Sequence, residues 1–522
     1  MAGLLSEIET LHNPKPFIGH QMLDIITSGM YDDPLMVYRE YVQNSVDSID
    51  LAVNQGKFSE SDGRISIRIS GQTRSVFIED NGFGLPNPTA INILMNLGYS
   101  PKEGSAQRGF RGIGRLGGLA YCDLLRFETR SSREEKIAVV EWDRRLLDDL
   151  LTKMNQRVSL DKVVANIIKA SYRPPSQNDP EHFFRVEMKD VHKFHSDILM
   201  NIKKVKEYLS QVAPVPYDNL NFSFTEKLQN YFTNIQGYRN YQITLNGEPI
   251  LRPYSDRIQI STNVTDEIKD IECFEFSDTD GVPLALGWYA QTNFRGSLPP
   301  HVTMRGIRVR QGNIEIGNEF FLSNIYAERR FATWNIGEIQ VWNHNIKPNA
   351  RRDGFEQTLS YERFLEQANV LGRSLSFLCR KYSSDRSTSY RVERKLQEIE
   401  DLLNTMVFFL DKDHCESTIN KFEEELNKLK PLVKNKGVNQ NEIGRYENLK
   451  FKIAKLRKKP FYLNDYLDGR YIRHMKKKEL FQKILKTITH EYGNTSSANE
   501  LIRKILVPYT KNQGKRTLKL KE

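Results

Sequence analysis

Arg39-Glu40-Tyr41-Val42-Gln43-Asn44-Ser45-Val46-Asp47-Ser48-Ile49-Asp50 reads as a helix. Val42, Val46 and Ile49 supply an apolar face. Glu40, Asn44 and Asp47 fall at i, i+4 and i+7, so their polar groups share another face. A carboxylate one turn from an amide suits a metal-nucleotide site. The carboxylate can polarise a water, and the amide oxygen can bind a hard cation such as Mg2+. Solvated helix faces carry the same residue types, so this stretch alone leaves both readings open.

Two later stretches narrow it. Ile78-Glu79-Asp80-Asn81-Gly82-Phe83-Gly84-Leu85-Pro86 follows alternating strand pattern over Ile65 to Ile69 and Val76 to Ile78. Asp80 therefore stands at a strand end, where a buried carboxylate can accept a hydrogen bond from an exocyclic amine. Gly82 and Gly84 let backbone approach a ligand closely. An ordinary Asp-Asn-Gly turn between strands would look the same. Further on, Gly109-Phe110-Arg111-Gly112-Ile113-Gly114-Arg115-Leu116-Gly117-Gly118-Leu119 is glycine-rich backbone leading into a helix start. Such backbone presents N–H groups to phosphate.

In this order the three stretches resemble the GHKL ATPase superfamily, which includes gyrase B subunits, heat-shock ninety chaperones, histidine kinases and MutL. Its E-x-x-x-N-x-x-D box is matched by Glu40, Asn44 and Asp47. Its D-x-G-x-G box is matched by Asp80, Gly82 and Gly84, and its G-x-x-G-x-G box by Gly109, Gly112 and Gly114. The resemblance implies a Bergerat fold that binds ATP with Mg2+. Glu40 would be the general base, Asn44 the Mg2+ ligand and Asp80 the partner of the adenine amine. Asp47, Gly82 and Gly84 would line the ATP site, and Gly109, Arg111, Gly112, Ile113 and Gly114 would wrap the triphosphate. The flavour is closest to the heat-shock ninety chaperones, because Asn96-Leu97-Gly98-Tyr99-Ser100-Pro101-Lys102 looks like the start of their ATP lid; Lys102 would join the ATP contacts. The motifs cover about residues 25–130.

The chain's 522 residues have room for two to four domains, and 39% hydrophobic with 27% charged residues describes an ordinary soluble protein. No run of 18 apolar residues occurs, so no membrane partner is expected. The N-terminus shows no signal-peptide pattern. Cys122, Cys273, Cys379 and Cys415 lie far apart without a zinc spacing, which suggests reduced thiols and a cytoplasmic setting. The net charge of +10 is uneven. Residues 381–522 hold 32 Lys and Arg against 19 Asp and Glu, while the first 380 hold 44 against 47. The basic C-terminal part suits a polyanion, or it is a lysine-rich solvated helical surface.

The reading is α+β in class: a Bergerat-fold ATP-binding domain over 1–235 with helices on one face of a mixed sheet and a lid at about 86–118. A transducer-like α/β domain follows over 236–355, then a helical, basic region over 356–510 and a basic tail over 511–522. Residues 143–172 read as helical, and Phe183 to Met188 as a strand. The chaperone family commonly begins this strand with Gly-Thr, whose hydroxyl helps hold the adenine; this chain has His182-Phe183-Phe184. Asn246-Gly247 marks a hairpin. Asn345-Ile346-Lys347-Pro348-Asn349-Ala350-Arg351-Arg352-Asp353 resembles the chaperones' catalytic loop, with Asp353 replacing its Glu. Arg352 would reach the terminal phosphate, because a guanidinium fork matches equatorial oxygens; Lys347 and Arg351 are competing candidates. Beyond 355, apolar residues at 3–4 spacing in Leu396 to Leu410 and Ile419 to Val433 predict helices folded back as a hairpin or short coiled coil, interrupted at 411–415 and 434–440.

The resemblance implies an ATP-gated homodimeric clamp that hydrolyses ATP, with a protein client as in chaperones. The alternative is duplex DNA, as for MORC and MutL proteins in genome maintenance or defence against foreign DNA. A histidine kinase is the minor reading, since only His12 and His20 precede the first box.

Overall fold

The computed structural model describes residues 33–96, 114–153, 160–193, 196–233, 235, 237–349, 351–405, 409, 412–434, 437–460 and 462, with scattered positions from 483 to 501. By contact the chain forms two compact units, Met1–Ser376 and Phe377–Glu522.

The first unit is built around helix α1 (Met36–Asn54). The Asp33 carboxylate accepts the Leu35 N–H at 2.9 Å just before it, and Gly56, at φ +66°, follows its last turn. Val37, Tyr38, Tyr41, Val42, Val46, Ile49 and Ala52 are buried at helical spacing. Arg39, Gln43, Ser45 and Asp47 are buried too. A helix buried on its polar side as well as its apolar one is lodged inside the fold, so its polar groups need partners or a ligand.

Below it lies an eight-stranded mixed sheet of β1 (Arg64–Ser70), β2 (Ser75–Asp80), β3 (Cys122–Arg130), β4 (Ile137–Asp143), β5 (Ile168–Arg173), β6 (Phe183–Val191), β7 (Gln242–Leu245) and β8 (Glu248–Pro249), in the order β5-β4-β3-β6-β2-β1-β7-β8. All pairings are antiparallel except β1 with β7. Strand alternation sets both faces. Ile65, Ile67 and Ile69 of β1 are buried, and the register sets them opposite Asp80, Ile78 and Val76 of β2. Asp80 is thus on the core side, toward α1. The other parity carries an ion-pair ladder: Arg185 lies 2.8 Å from Glu128, and Arg173 lies 2.7 Å from Glu128 and 2.6 Å from Asp179.

Residues 143–172 are not helical throughout. Helices α2 (Asn87–Met95), α3 (Arg144–Lys153) and α4 (Leu160–Ile167) are present, but Ile168–Arg173 is edge strand β5, paired along its length with β4. Its residues alternate apolar and polar, and the free edge of β4 pairs with them. The segment from Tyr238 likewise completes the first sheet with β7 and β8 before the second sheet begins.

Helices α5 (Ile202–Val212) and α6 (Thr225–Phe232) precede these last two strands. The hairpin of β9 (Arg257–Ser261) and β10 (Val264–Glu267) follows them. The second sheet comprises β11 (Asp270–Ser277), β12 (Pro283–Gln291), β13 (Gly306–Gln311), β14 (Ile314–Ile316) and β15 (Ile336–Val341), in the order β11-β12-β15-β13-β14. Trp288, Phe222, Tyr217, Tyr254 and Phe232 fill the core beside it. Among these rings sits a charge cluster that hydropathy patterning does not reveal. Glu338 of β15 is fully buried and is held by the guanidinium groups of Arg252 and Arg310, the latter at 2.8 Å. It also accepts from the hydroxyls of Tyr217 at 2.7 Å and Tyr254 at 3.1 Å. Arg252 Nε donates to the Val215 carbonyl at 2.9 Å, and Arg310 donates to the carbonyls of Gln211 and Ala213. The cluster therefore ties the segment after α5 to the second sheet.

The unit boundary falls inside the 47-residue helix α7 (Leu359–Thr405). In the second unit, α8 (Lys412–Val433) and α9 (Gln440–Lys458) pack with the end of α7 around Leu396, Ile399, Ile419, Phe422, Leu426, Tyr446, Leu449 and Ile453. These helices fold back as a small bundle. The break expected at 411–415 lies earlier, because α8 already begins at Lys412 and buries Cys415 in that core. Asn439 caps α9, its side chain accepting the Glu442 N–H at 2.9 Å while Glu442 accepts the Asn439 N–H at 3.1 Å.

Candidate functional site

The site lies between α1, the end of β2 and the turn Gly114–Ala120. Asp80 is only 1% exposed. Its Oδ1 accepts the Gly82 N–H at 2.9 Å. Burial pushes its carboxyl up to about 7, although the hydroxyls of Ser45 and Ser48 and the Gly82 N–H pull the other way. Those hydroxyls face the carboxyl, yet Oδ2 makes no well-formed hydrogen bond among the described residues. A buried carboxylate oxygen without a donor is costly, and a ligand donor would relieve it.

The glycines beside Asp80 act first on protein. A Cβ on Gly82 would lie 2.3 Å from Ser48 Oγ and 2.6 Å from the Ser48 carbonyl carbon. The Phe83 N–H donates to the Ser48 carbonyl at 3.0 Å. Gly84 has φ +67°, and a Cβ there would lie 2.1 Å from the Arg130 carbonyl oxygen. The close approach that these two glycines allow is thus to α1 and β3, which seats the Asp80 turn beneath α1.

Asp80, Phe184 and Thr129 are register partners across β2, β6 and β3, so they share the core-facing side. Phe184 is half-buried and Thr129 fully buried. The Thr129 hydroxyl accepts the Leu85 N–H at 2.8 Å and donates to the Phe183 carbonyl at 3.1 Å. The His182 ring, stacked on Phe58, meets the Gly82 carbonyl at 2.7 Å through Nδ1. An aromatic side chain beside Asp80 offers a planar base an apolar wall.

Glu40 and Asn44 are half-buried on α1, and Asp47 is buried one turn on. Glu40 Oε1 has no hydrogen-bond partner among the described residues; it lies 3.5 Å from Arg39 Nη2. Tyr41 connects this helix to the glycine stretch. Its hydroxyl accepts the Gly118 N–H and donates to the Arg115 carbonyl, both at 3.0 Å. Gly114 opens that 3-10 turn. Arg115 reaches back to the Asn96 carbonyl, so the two chain ends flanking 97–113 are joined, and burial pulls its guanidinium down to about 10. Lys102, Gly109, Arg111, Gly112 and Ile113 lie outside the described residues.

The basic loop of the second sheet reaches the same helix. Arg39 Nη2 donates to the Arg351 carbonyl at 2.9 Å. The loop is self-braced: Asn349 Nδ2 donates to Asp353 Oδ1 at 2.6 Å, and the Asn349 N–H donates to the Gly354 carbonyl at 3.0 Å. The Arg352 carbonyl accepts the Gly317 N–H at 2.9 Å, and Arg352 itself adopts φ +54°. The structure thus brings Glu40, Asn44, Asp47, Asp80, Gly82, Gly84 and Gly114 into one region, with the 347–353 loop anchored at its α1 edge. The motifs do not point to Arg39, Tyr41, Ser45, Ser48 or Thr129. Arg39 is signalled only by its place before Glu40, and the others only by strand register and helix packing; Phe184 stands in the segment that replaces the chaperones' Gly-Thr.

Residues 35–172 match the family model described as histidine kinase-, DNA gyrase B-, and HSP90-like ATPase. Similar curated proteins include chaperone protein HtpG of Psychrobacter cryohalolentis, 28% identical over 140 residues that make up 23% of this chain and 21% of the relative. HtpG of Pseudoalteromonas translucida is 26% identical over 144 residues, 24% of this chain and 22% of the relative. HtpG of Legionella pneumophila strain Paris is 32% identical over 93 residues, 17% and 14%. The chain therefore spans about a fifth of the length of the curated relatives it matches. Over this segment the chain is similar to the GHKL ATPases, with a heat-shock ninety flavour.

Proposed function

We propose that the chain binds and hydrolyses ATP at this site and uses the cycle to drive a dimeric, chaperone-like clamp. The observation that carries the reading is Asp80: a buried carboxylate oxygen without a donor, on the core side of β2 beneath the helix that bears Glu40 and Asn44. The adenine amine would donate to it, with Phe184 as an apolar wall. Asn44 would hold Mg2+, which when bound supplies charge neutralisation on the phosphates. Glu40 would orient and deprotonate the attacking water. Arg352 would face the terminal phosphate, the anchoring of its loop to Arg39 favouring this candidate set over a plain surface loop. Glycine-stretch backbone and Arg115 would face the remaining phosphate charge. A protein client follows from the likeness to chaperones. Duplex DNA is the second reading, favoured by the charge surplus beyond residue 380.

Asp80→Asn tests the anchor. Mg-ATP affinity, read by calorimetry, should fall about 10- to 100-fold, the worth of a charge-assisted hydrogen bond in a dry site. Unchanged affinity would place the base elsewhere. The pH dependence has a defined sign. Binding favours the carboxylate, so wild-type affinity should weaken as pH falls below about 7. Without ligand, the raised folded-state value means that the native chain holds a proton the unfolded chain has released. This group's contribution to stability is present below pH 3.8 and is lost as pH rises through about 7. Asp80→Asn should remove that slope from the unfolding free energy.

A further inference from the structure

Several basic residues of the second unit pair with its own acids. Arg445 lies 2.6 Å from Glu400, Arg394 3.1 Å from Glu398, Lys428 2.9 Å from Glu424 and Arg457 3.1 Å from Glu423. The last turns of α9 depart from this. Lys450-Phe451-Lys452-Ile453-Ala454-Lys455-Leu456-Arg457-Lys458-Lys459 contains six cationic residues and no acidic one. Lys452, Lys455, Lys458 and Lys459 make no ion pair among the described residues. Tyr446, Leu449 and Ile453 point into the bundle core. Asn448, Phe451, Lys455 and Lys458, at spacings of three, four and three, form the exposed stripe opposite. Phe451 is 68% exposed in the middle of it.

Cations in a last turn favour the helix dipole, which accounts for one or two of these lysines. It does not account for a large exposed ring set among them. We propose that the C-terminal half of α9 is a docking face for single-stranded nucleic acid, with backbone phosphates on Lys455, Lys458 and Lys459 and an unpaired base stacked on Phe451. Unpaired lysines supply the sequence-independent phosphate attraction. An exposed ring supplies a platform that any base can use but that a closed duplex does not offer its bases to. An acidic protein would use the lysines and leave the ring without a role, whereas an anionic membrane could take up both, so vesicles are included as a competitor in the test.

The inference stands apart from the nucleotide site, so it is tested without ATP. The full chain is titrated with a fluorescein-labelled single strand of about 20 nucleotides, with the matching duplex, and with phosphatidylserine-containing vesicles. The single strand should bind best, and binding should fade as salt rises. Lys455→Gln/Lys458→Gln/Lys459→Gln should weaken it about 10- to 100-fold and flatten the log–log salt slope by about 2. Phe451→Ala should weaken single-strand binding about tenfold and leave the salt slope unchanged. These exposed positions leave the bundle core untouched, and a thermal melt confirms folding of each variant. Binding that survives the triple change, a duplex bound as tightly as the single strand with Phe451→Ala silent, or vesicles bound in place of nucleic acid would each overturn the proposal.

Discussion

Replacing Glu40 with alanine is expected to lower ATP turnover by about 10²- to 10⁴-fold, the usual range for losing a positioned general base, while ATP still binds. The carboxylate is half-buried on α1, one turn before Asn44, and Oε1 has no hydrogen-bond partner among the described residues. No hydrogen bond among the described residues commits this buried oxygen to the fold, so it can accept one from the attacking water of the proposed reaction. The Arg39 guanidinium lies 3.5 Å away and also donates to the Arg351 carbonyl. Removing the carboxylate leaves that second contact in place, so the loop should stay anchored. Phosphate release and calorimetric ATP binding, measured on the same preparation, separate the two effects. Wild-type turnover in the variant would remove Glu40 from the chemistry; loss of binding as well would make it a structural residue of the nucleotide pocket.

Glu338→Ala is expected to destabilise the first unit by about 3–5 kcal/mol, the usual cost of breaking a buried ion pair from one side. Both Arg252 and Arg310 are almost wholly buried, and the substitution leaves two guanidinium groups without their shared carboxylate. The hydroxyls of Tyr217 and Tyr254 lose an acceptor at the same time. Burial alone would raise the Glu338 carboxyl, but the two arginines and two hydroxyls outweigh it and hold it below its ordinary value. The sign of the pH effect follows. This carboxylate's contribution to stability is complete above about pH 4.5 and is lost as the solution is acidified through its lowered folded-state value. Urea unfolding of wild type and variant at neutral pH reads the difference directly, and a change below about 1 kcal/mol, the worth of an exposed pair, would show that the cluster is hydrated.

The helix and the strand that carry the first two boxes were legible because each pairs a chemical group with a local pattern. Glu40, Asn44 and Asp47 follow helix spacing, and Asp80 ends an alternating strand. Their mutual placement was not, because it depends on the β1–β2 register and on the contact of Gly82 with Ser48. The Glu338 cluster was invisible for a related reason. Ile336, Ile339 and Val341 make β15 look like an ordinary buried strand, and its partners Arg252 and Arg310 lie far off in sequence. Strand β5 falls in a charged stretch that reads as helical although Ile-Lys-Ala-Ser-Tyr-Arg alternates apolar and polar residues; a run this short, directly after helix α4, is too brief for the alternation to stand out. The helical second unit was legible from its 3–4 apolar spacing, but the length of α7 was not, since the polar run Ser383–Ser389 interrupts its apolar stripe between Cys379 and Val392.

The parallel pairing of β1 with β7 has a consequence for how the chain is made. Arg64 to Ile67 align with Gln242 to Leu245, so a strand formed early waits for a partner emerging well over a hundred residues later. Until then β1 presents an open row of amides and carbonyls beside Ile65, Ile67 and Ile69, the kind of edge that recruits strands from other chains. Closing so long a loop is entropically slow. Cotranslational folding of the nucleotide region is thus complete only after Leu245 has left the ribosome, and a nascent chain halted before that point carries a sticky margin.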